Sequence, residues 1–575
     1  MLDTLITGGT VVDGTGAPGV RADVGIRDGR VVSVGATDET AATTIDATDL
    51  VVSPGFVDLH THYDAQLFWD PTASPSTLHG VTTVVGGNCG FTLAPCGPEH
   101  ADYLMRMMAR VEGMPLPALE AGLPWDWKSF ADWLGRLEGA TAVNAGFLVG
   151  HSALRRVVLG DRAHEAASDD EVAQMTQLLV EALDAGALGF SSSQAHTHND
   201  GDGDPVPSRG ASHDELIALA RATGTRPGTT LELILAGALG RFSEDEMALM
   251  AAMSSGAQRP LNWNVLGVSA LDPDGWRHQL TASDYAAERG GEVIALVMPH
   301  AMRIRLSFLS GFVLDALPGW SSVLGLPVDE RIAALRDPAV RARLDASAHS
   351  EEAGNLRGLA NWANLELAET FAPENAKYEG RRVGDVAEEQ GREPFDVLLD
   401  IVCADGLATG LRPPSFGDDP ANWTERAQAW LDPRTIVGAS DAGAHLDMMC
   451  GAIYSTSLVG PAVRDRHLLS LEEAVRQLTS VPAELYGIVD RGVVRPGAWA
   501  DVVVFDPDAV GYGPERTRHD LPGGAPRLYA DAVGVEHVLV NGVEIVTGGA
   551  ATGAVPGKVL KSGTDTHTVL PGRKG

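Results

Sequence analysis

Lysine is the scarcest of the charged residues: 575 positions hold only Lys128, Lys377, Lys558, Lys561 and Lys574. Lysine and arginine together number 43 against 77 aspartates and glutamates, a formal net charge of -34. Such a surface repels phosphate backbones and anionic lipid, which excludes nucleic acid and membranes as partners. The four cysteines, Cys89, Cys96, Cys403 and Cys450, are too few and too scattered for a disulfide framework. No apolar run approaches the ~18 residues of a membrane span, and "MLDTLITGG" lacks the basic-then-apolar pattern of a secretion signal. A cytoplasmic location is the expectation.

What remains is ordinary globular material, 44% hydrophobic and 21% charged, in a chain longer than one usual domain. The first fifty residues and the last ninety share a texture of short Val/Ile/Thr strands broken by "DG", "PG" and "NG" turns. This predicts that residues 1–54 and 485–575 meet in one small β-sandwich, the alternative being two separate β-decorations. Between them, from 55 to 484, apolar runs alternate with amphipathic stretches, as in parallel-sheet proteins. Eight strands are expected: "GFVDLHTH", "VTTVVGGNCG", "NAGFLVGHS", "ALGFSSSQAH", "GTTLELI", "PLNWNVLG", "EVIALVMPH" and "TIVGASDAG". Eight strand–helix units favour a TIM-like (β/α)8 barrel over a doubly wound sheet. The charged, helical stretch around 328–421 reads as the layer after strand seven plus an insertion.

Barrel enzymes place their chemistry where strands end. Strand one ends on His60 and His62, two residues apart and so on one side of an extended chain. Strand two ends on Cys89, strand three on His151, strand five carries Glu232, strand six Asn264, strand seven His300, and strand eight Asp441. Imidazole, thiolate and carboxylate together suit zinc. A lone His-x-His pair is as often a packed pair as a metal site; Cys89 and Asp441 at neighbouring strand ends tip the balance. Asp441 is the expected proton carrier. His151 serves either as an oxyanion donor or as a helix-capping residue, and His445 either contacts substrate or packs.

"SPGFVDLHTHYD", "GVTTVVGGNCGFTLAP", "LVGHSALR", "DAGALGFSS" and "GASDAG" resemble the amidohydrolase superfamily, most closely its D-aminoacylase (N-acyl-D-amino-acid deacylase) branch. The resemblance spans nearly the whole chain and weakens between about Thr223 and Pro420. It implies a metal-dependent hydrolase of C–N bonds acting on a small amide, with His60, His62 and Cys89 as ligands and Asp441 as the catalytic carboxylate. The flanking β-segments, including "RGVVRPGAWADVVVFDPD", match that superfamily's composite sandwich.

The departures are specific. Where the family has histidines ending strands five and six, this chain reads "TTLELI" and "LNWNVLG", and the strand-six lysine is missing. Neither Lys128 nor Lys377 suits a metal-bridging role. One divalent ion, zinc, is therefore expected, held by His60, His62 and Asp441 with Cys89 beside them, Glu232 being a candidate ligand in the vacated strand-five place and a second site disfavoured by Asn264. Asn264, His300, Arg303 and His445 are candidate substrate contacts, Arg303 and Arg305 offering a replacement carboxylate clamp. The apolar run "VMPHAMRIRLSFLSGFVLDALPGW" either lines a pocket for a hydrophobic N-acyl compound or packs as core. Hydrolysis of a cyclic amide, carbamate or ester, and a degenerate barrel that binds without turnover, are the alternatives. A homo-oligomer is left open.

Overall fold

Strands buried on both faces carry unbroken apolar sequence, and the eight runs that read so pair in parallel. In the computed structural model, which describes residues 1–311, 313–414 and 417–572, they form one eight-stranded sheet in sequence order. They are β1 (Phe56–Asp58), β2 (Val81–Gly86), β3 (Asn144–Gly150), β4 (Gly189–Ser193), β5 (Thr230–Ile234), β6 (Leu261–Leu266), β7 (Val293–Val297) and β8 (Thr435–Val437). Alternate residues face opposite ways. Val57, Val85, Leu148, Leu296 and Ile436 share one apolar cluster, while Val84, Phe147, Val149 and Trp263 join the large core shared with the helices.

The sheet curls until its two edges meet. β1 and β8 are bridged just beyond their ends, at Thr61 and Ala442. The His62 amide donates to the Ala442 carbonyl (2.8 Å), and the Asp441 amide and Ser440 hydroxyl both donate to the His60 carbonyl (3.1 and 2.9 Å). This is a (β/α)8 barrel whose seam runs through the metal-candidate histidines.

Strands from both chain ends lie together. Val51–Pro54 pairs antiparallel with Val502–Phe505, within a seven-stranded sheet reaching from Val20–Arg21 to Ala550–Ala551. Ile6, Val24 and Ile26 of a four-stranded sheet share a core with Val52, Val502, Val504 and Leu539 of this larger one, so the two form a sandwich. Val503 and Phe505 point the other way, into the barrel's helical core.

Between β7 and β8, a second apolar cluster runs from Leu306 to Leu411. Helices Val328–Arg336, Pro338–Ala348, Val383–Gln390 and Pro394–Ala404 build it, with one antiparallel pair, Glu366–Glu369 and Gly410–Arg412. Phe308, Leu314, Leu317 and Trp320 are buried here. The apolar run read as a possible pocket wall is core at those positions.

Candidate metal centre

Each converging side chain has a local cause. Asn88 donates from one amide nitrogen to the carbonyls of Leu59 (3.3 Å), Thr61 (3.2 Å) and Val85 (2.9 Å), clamping the ends of β1 and β2. Cys89 sits in the left-handed region (φ 55°) just after Gly87 (φ 76°). A Cβ on Gly87 would stand 2.2 Å from the Leu148 carbonyl oxygen, so only glycine lets this loop close on β3. Asp441 is also left-handed (φ 58°), a conformation that costs about 1 kcal/mol or more outside glycine and is common at functional sites.

The result is a tight donor set. Cys89 Sγ is 3.5 Å from His60 Nε2, which is 3.6 Å from Asp441 Oδ1; that oxygen is 3.0 Å from His62 Nε2. Zinc bonds of ~2.0–2.3 Å place neighbouring tetrahedral ligand atoms roughly 3.3–3.8 Å apart; the 3.5 and 3.6 Å separations match that spacing, while the 3.0 Å contact of Asp441 with His62 is that of a hydrogen bond. His60, His62 and Cys89 form one converging triplet, and His62, Glu112 and Asp441 a second. Three of these side chains, His60, His62 and Glu112, are essentially closed to solvent, whereas Asp441 keeps 26% of its side chain exposed.

Charge points the same way. Burial raises the Cys89 thiol well above its ordinary value, and the carboxylates of Glu232, Glu112 and Asp441 add to the effect. Burial brings His60 down to about 3, leaving a neutral imidazole. For His62 burial is outweighed by Glu112 and Asp441, which lift it to about 9. For Asp441 burial is likewise outweighed, by His62, His445 and His60, so its carboxyl lies well below the usual range. Burial keeps the Cys89 thiol protonated in the empty site, and a divalent ion would supply the positive charge that a thiolate ligand needs. The residues fit a metal.

The sequence profile of the amidohydrolase family matches residues 43–546. The chain belongs to that family. Among curated proteins, this amidohydrolase is 30% identical over 581 residues to N-acyl-D-glutamate deacylase of Alcaligenes xylosoxydans xylosoxydans, covering 97% of this chain and 96% of the relative. It is 29% identical to D-aminoacylase of the same organism, over 97% of each chain. Among solved structures, it superposes with a TM-score of 0.64 on N-acyl-D-glutamate deacylase from Bordetella bronchiseptica, complexed with zinc and a phosphonate inhibitor. That match covers 98% of this chain and all of the other, at 27% identity.

The other expected residues divide. Asn264 stands in the amidohydrolase's donor set, its amide nitrogen 3.3 Å from His60 Nε2 and 3.4 Å from Cys89 Sγ. His445 Nε2 is 3.5 Å from Asp441 Oδ2. Glu232 belongs to neither triplet; one oxygen accepts the Cys89 amide at 2.8 Å, and burial lifts its carboxyl to about 8. It supports the thiol from behind. His151 is not at the site: Nδ1 meets Ser192 Oγ and Nε2 meets Glu215, each at 2.8 Å, which leaves no nitrogen for an oxyanion. His300 and Arg303 line a separate narrow crevice with Ser440 and Glu515. Arg303 donates to the Tyr512 hydroxyl. Arg305 is committed to Glu369 (2.6 Å) and Thr517 (2.7 Å), so it forms no free clamp. Lys377 stands over the Tyr378 ring, in the insertion.

Glu112 was invisible to strand-end reasoning. It caps helix Ala101–Val111 in the long β2–β3 connection, at no strand end and in no motif. His62 also borders a narrow crevice lined by the apolar side chains of Trp69, Met114, Leu119, Leu446 and Leu521. No helix among the described residues is long and apolar enough to cross a membrane.

Proposed function

We propose that this amidohydrolase cleaves the amide bond of an N-acyl amino acid, preferring the D-series of its relatives, with one divalent ion, zinc, held by His60, His62, Cys89 and Asp441. The observation that carries this is Asp441 Oδ1 at 3.0 and 3.6 Å from the two histidine Nε2 atoms, with Cys89 Sγ 3.5 Å from one of them. The names of the similar proteins, D-aminoacylase and N-acyl-D-glutamate deacylase, support the substrate class.

The bound ion would supply a Lewis acid for the amide carbonyl and make a water acidic enough to deprotonate near neutrality. Asp441, kept ionised by the histidines around it, accepts that proton and returns it to the departing nitrogen. Its partial exposure lets it reach a substrate that His60 and His62, almost fully buried, do not. The apolar side chains beside His62, Trp69, Met114, Leu119, Leu446 and Leu521, favour an apolar neighbour over a charged one on that side of the site.

The test is metal content of the purified protein together with release of free amine from paired N-acetyl-D- and N-acetyl-L-amino acids, methionine, leucine and glutamate among them. About one equivalent of zinc and turnover of the apolar D-compounds are expected. Less than about half an equivalent with no turnover of any member sinks the proposal and favours a barrel that only binds.

A further inference from the structure

We infer that Glu112 is the positioning residue of the metal centre: its carboxylate receives the Nδ1 proton of His62 and thereby turns Nε2 toward the ion. The inference rests on the reading of His62 as a ligand and goes beyond it, since Glu112 lies outside the strand ends from which the ligands come.

Glu112 follows the last turn of helix Ala101–Val111, where a glutamate would ordinarily face water, yet only 3% of it is exposed. A carboxylate is not buried without a partner that repays its lost hydration. Oε1 stands 3.6 Å from His62 Nδ1, while Nε2 of the same ring faces Asp441 at 3.0 Å. The two nitrogens are thus divided: one toward Glu112, one toward the donor set. An imidazole that ligates through one nitrogen carries its proton on the other, and a carboxylate there fixes both tautomer and ring orientation.

The backbone holds Glu112 in that place. Its carbonyl accepts the His445 amide at 2.5 Å. Gly113 follows with φ +57°, and a Cβ there would stand 3.1 Å from His445 Cα. Residues 112 and 113 are therefore pressed against the loop that carries Asp441, so the connection after β2 is registered against the end of β8. Asp64, the third carboxylate near His62 after Glu112 and Asp441, is engaged by the Gly87 amide at 3.1 Å.

The experiment compares wild type with Glu112→Gln and Glu112→Asp, measuring zinc dissociation by chelator competition and the visible spectrum of the cobalt-substituted proteins. Glu112→Gln should still take up the wild-type stoichiometry but bind it 10–100-fold more weakly, with altered cobalt bands. Glu112→Asp, which keeps the charge, should recover part of the loss. Equal affinity in wild type and Glu112→Gln overturns the assignment and leaves the metal-site reading intact. Loss of a whole equivalent at saturating zinc also overturns it, making Glu112 a ligand of a second ion with His62 and Asp441. Wild type that holds no zinc overturns both readings. Should Glu112→Gln not fold, a crystal structure of zinc-loaded wild type decides: Nε2 of His62 on the ion with Nδ1 in hydrogen-bond contact with Glu112 supports the assignment, and the ion on Nδ1 overturns it.

Discussion

Cys89 and Glu232 are joined by one hydrogen bond, from the Cys89 amide to Glu232 Oε2 at 2.8 Å. The carboxylate holds the backbone that aims the thiol and stands outside both donor triplets. Glu232→Gln retains an acceptor and should bind zinc within a few-fold of wild type. Glu232→Ala leaves a buried amide unpaired, costing about 1–3 kcal/mol, and should weaken zinc binding about 10–100-fold. Zinc retained after dialysis against a graded chelator series measures both. Equal loss in the two variants would instead make Glu232 a ligand.

Asp441→Asn keeps the shape of the side chain and removes its basicity. Loss of proton transfer costs roughly 10²–10⁴ in rate, so kcat measured at saturating zinc, which offsets the weakened ligand, should fall by that factor. Near-normal kcat on the best substrate of the panel would remove Asp441 from the proton path.

Gly443 has φ +92°, and a Cβ there would stand 2.8 Å from the His62 carbonyl carbon. Gly443→Ala should therefore both strain the loop, by about 1–3 kcal/mol, and displace His62. Urea denaturation and zinc content read the two effects, and the prediction requires them to fall together. An alanine variant with wild-type stability shows the contact to be soft.

His151 gives a pH dependence. Burial holds it below its usual 6.5 in the fold, although its Glu215 hydrogen bond works the other way. The unfolded chain thus takes up the proton more readily, so stability declines as pH falls below about 6.5 and is complete above it. Glu215, also held low because His151 and Arg155 outweigh its burial, loses its contribution in the same direction further into acid. His151→Gln should flatten the fall in urea midpoint between about pH 6.5 and 5. An unchanged slope would show that this histidine carries no part of the acid lability.

Much of this was legible in sequence because barrel strands carry a strong signal: both faces are buried, so "VTTVVGG" and "NAGFLVG" stand out as charge-free, mostly apolar runs. His60, His62, Cys89 and Asp441 were legible for a related reason, since each follows such a run. The same rule misplaced His151, which also begins where a strand ends but turns into a buried network with Ser192 and Glu215. It missed Glu112, whose position depends on how a long connection folds back, and no periodicity encodes that. Arg305 looked free because its partners Glu369 and Thr517 are 64 and 212 residues away.

The seam between β1 and β8 has a further consequence. His60 and Ser440, bonded there, are 380 residues apart in the chain. The donor set is therefore a clasp, fastened only when the first and last staves of the barrel meet. An ion gripping His60, His62 and Asp441 at once would act as the pin through that clasp, tying catalytic competence to completion of the ring.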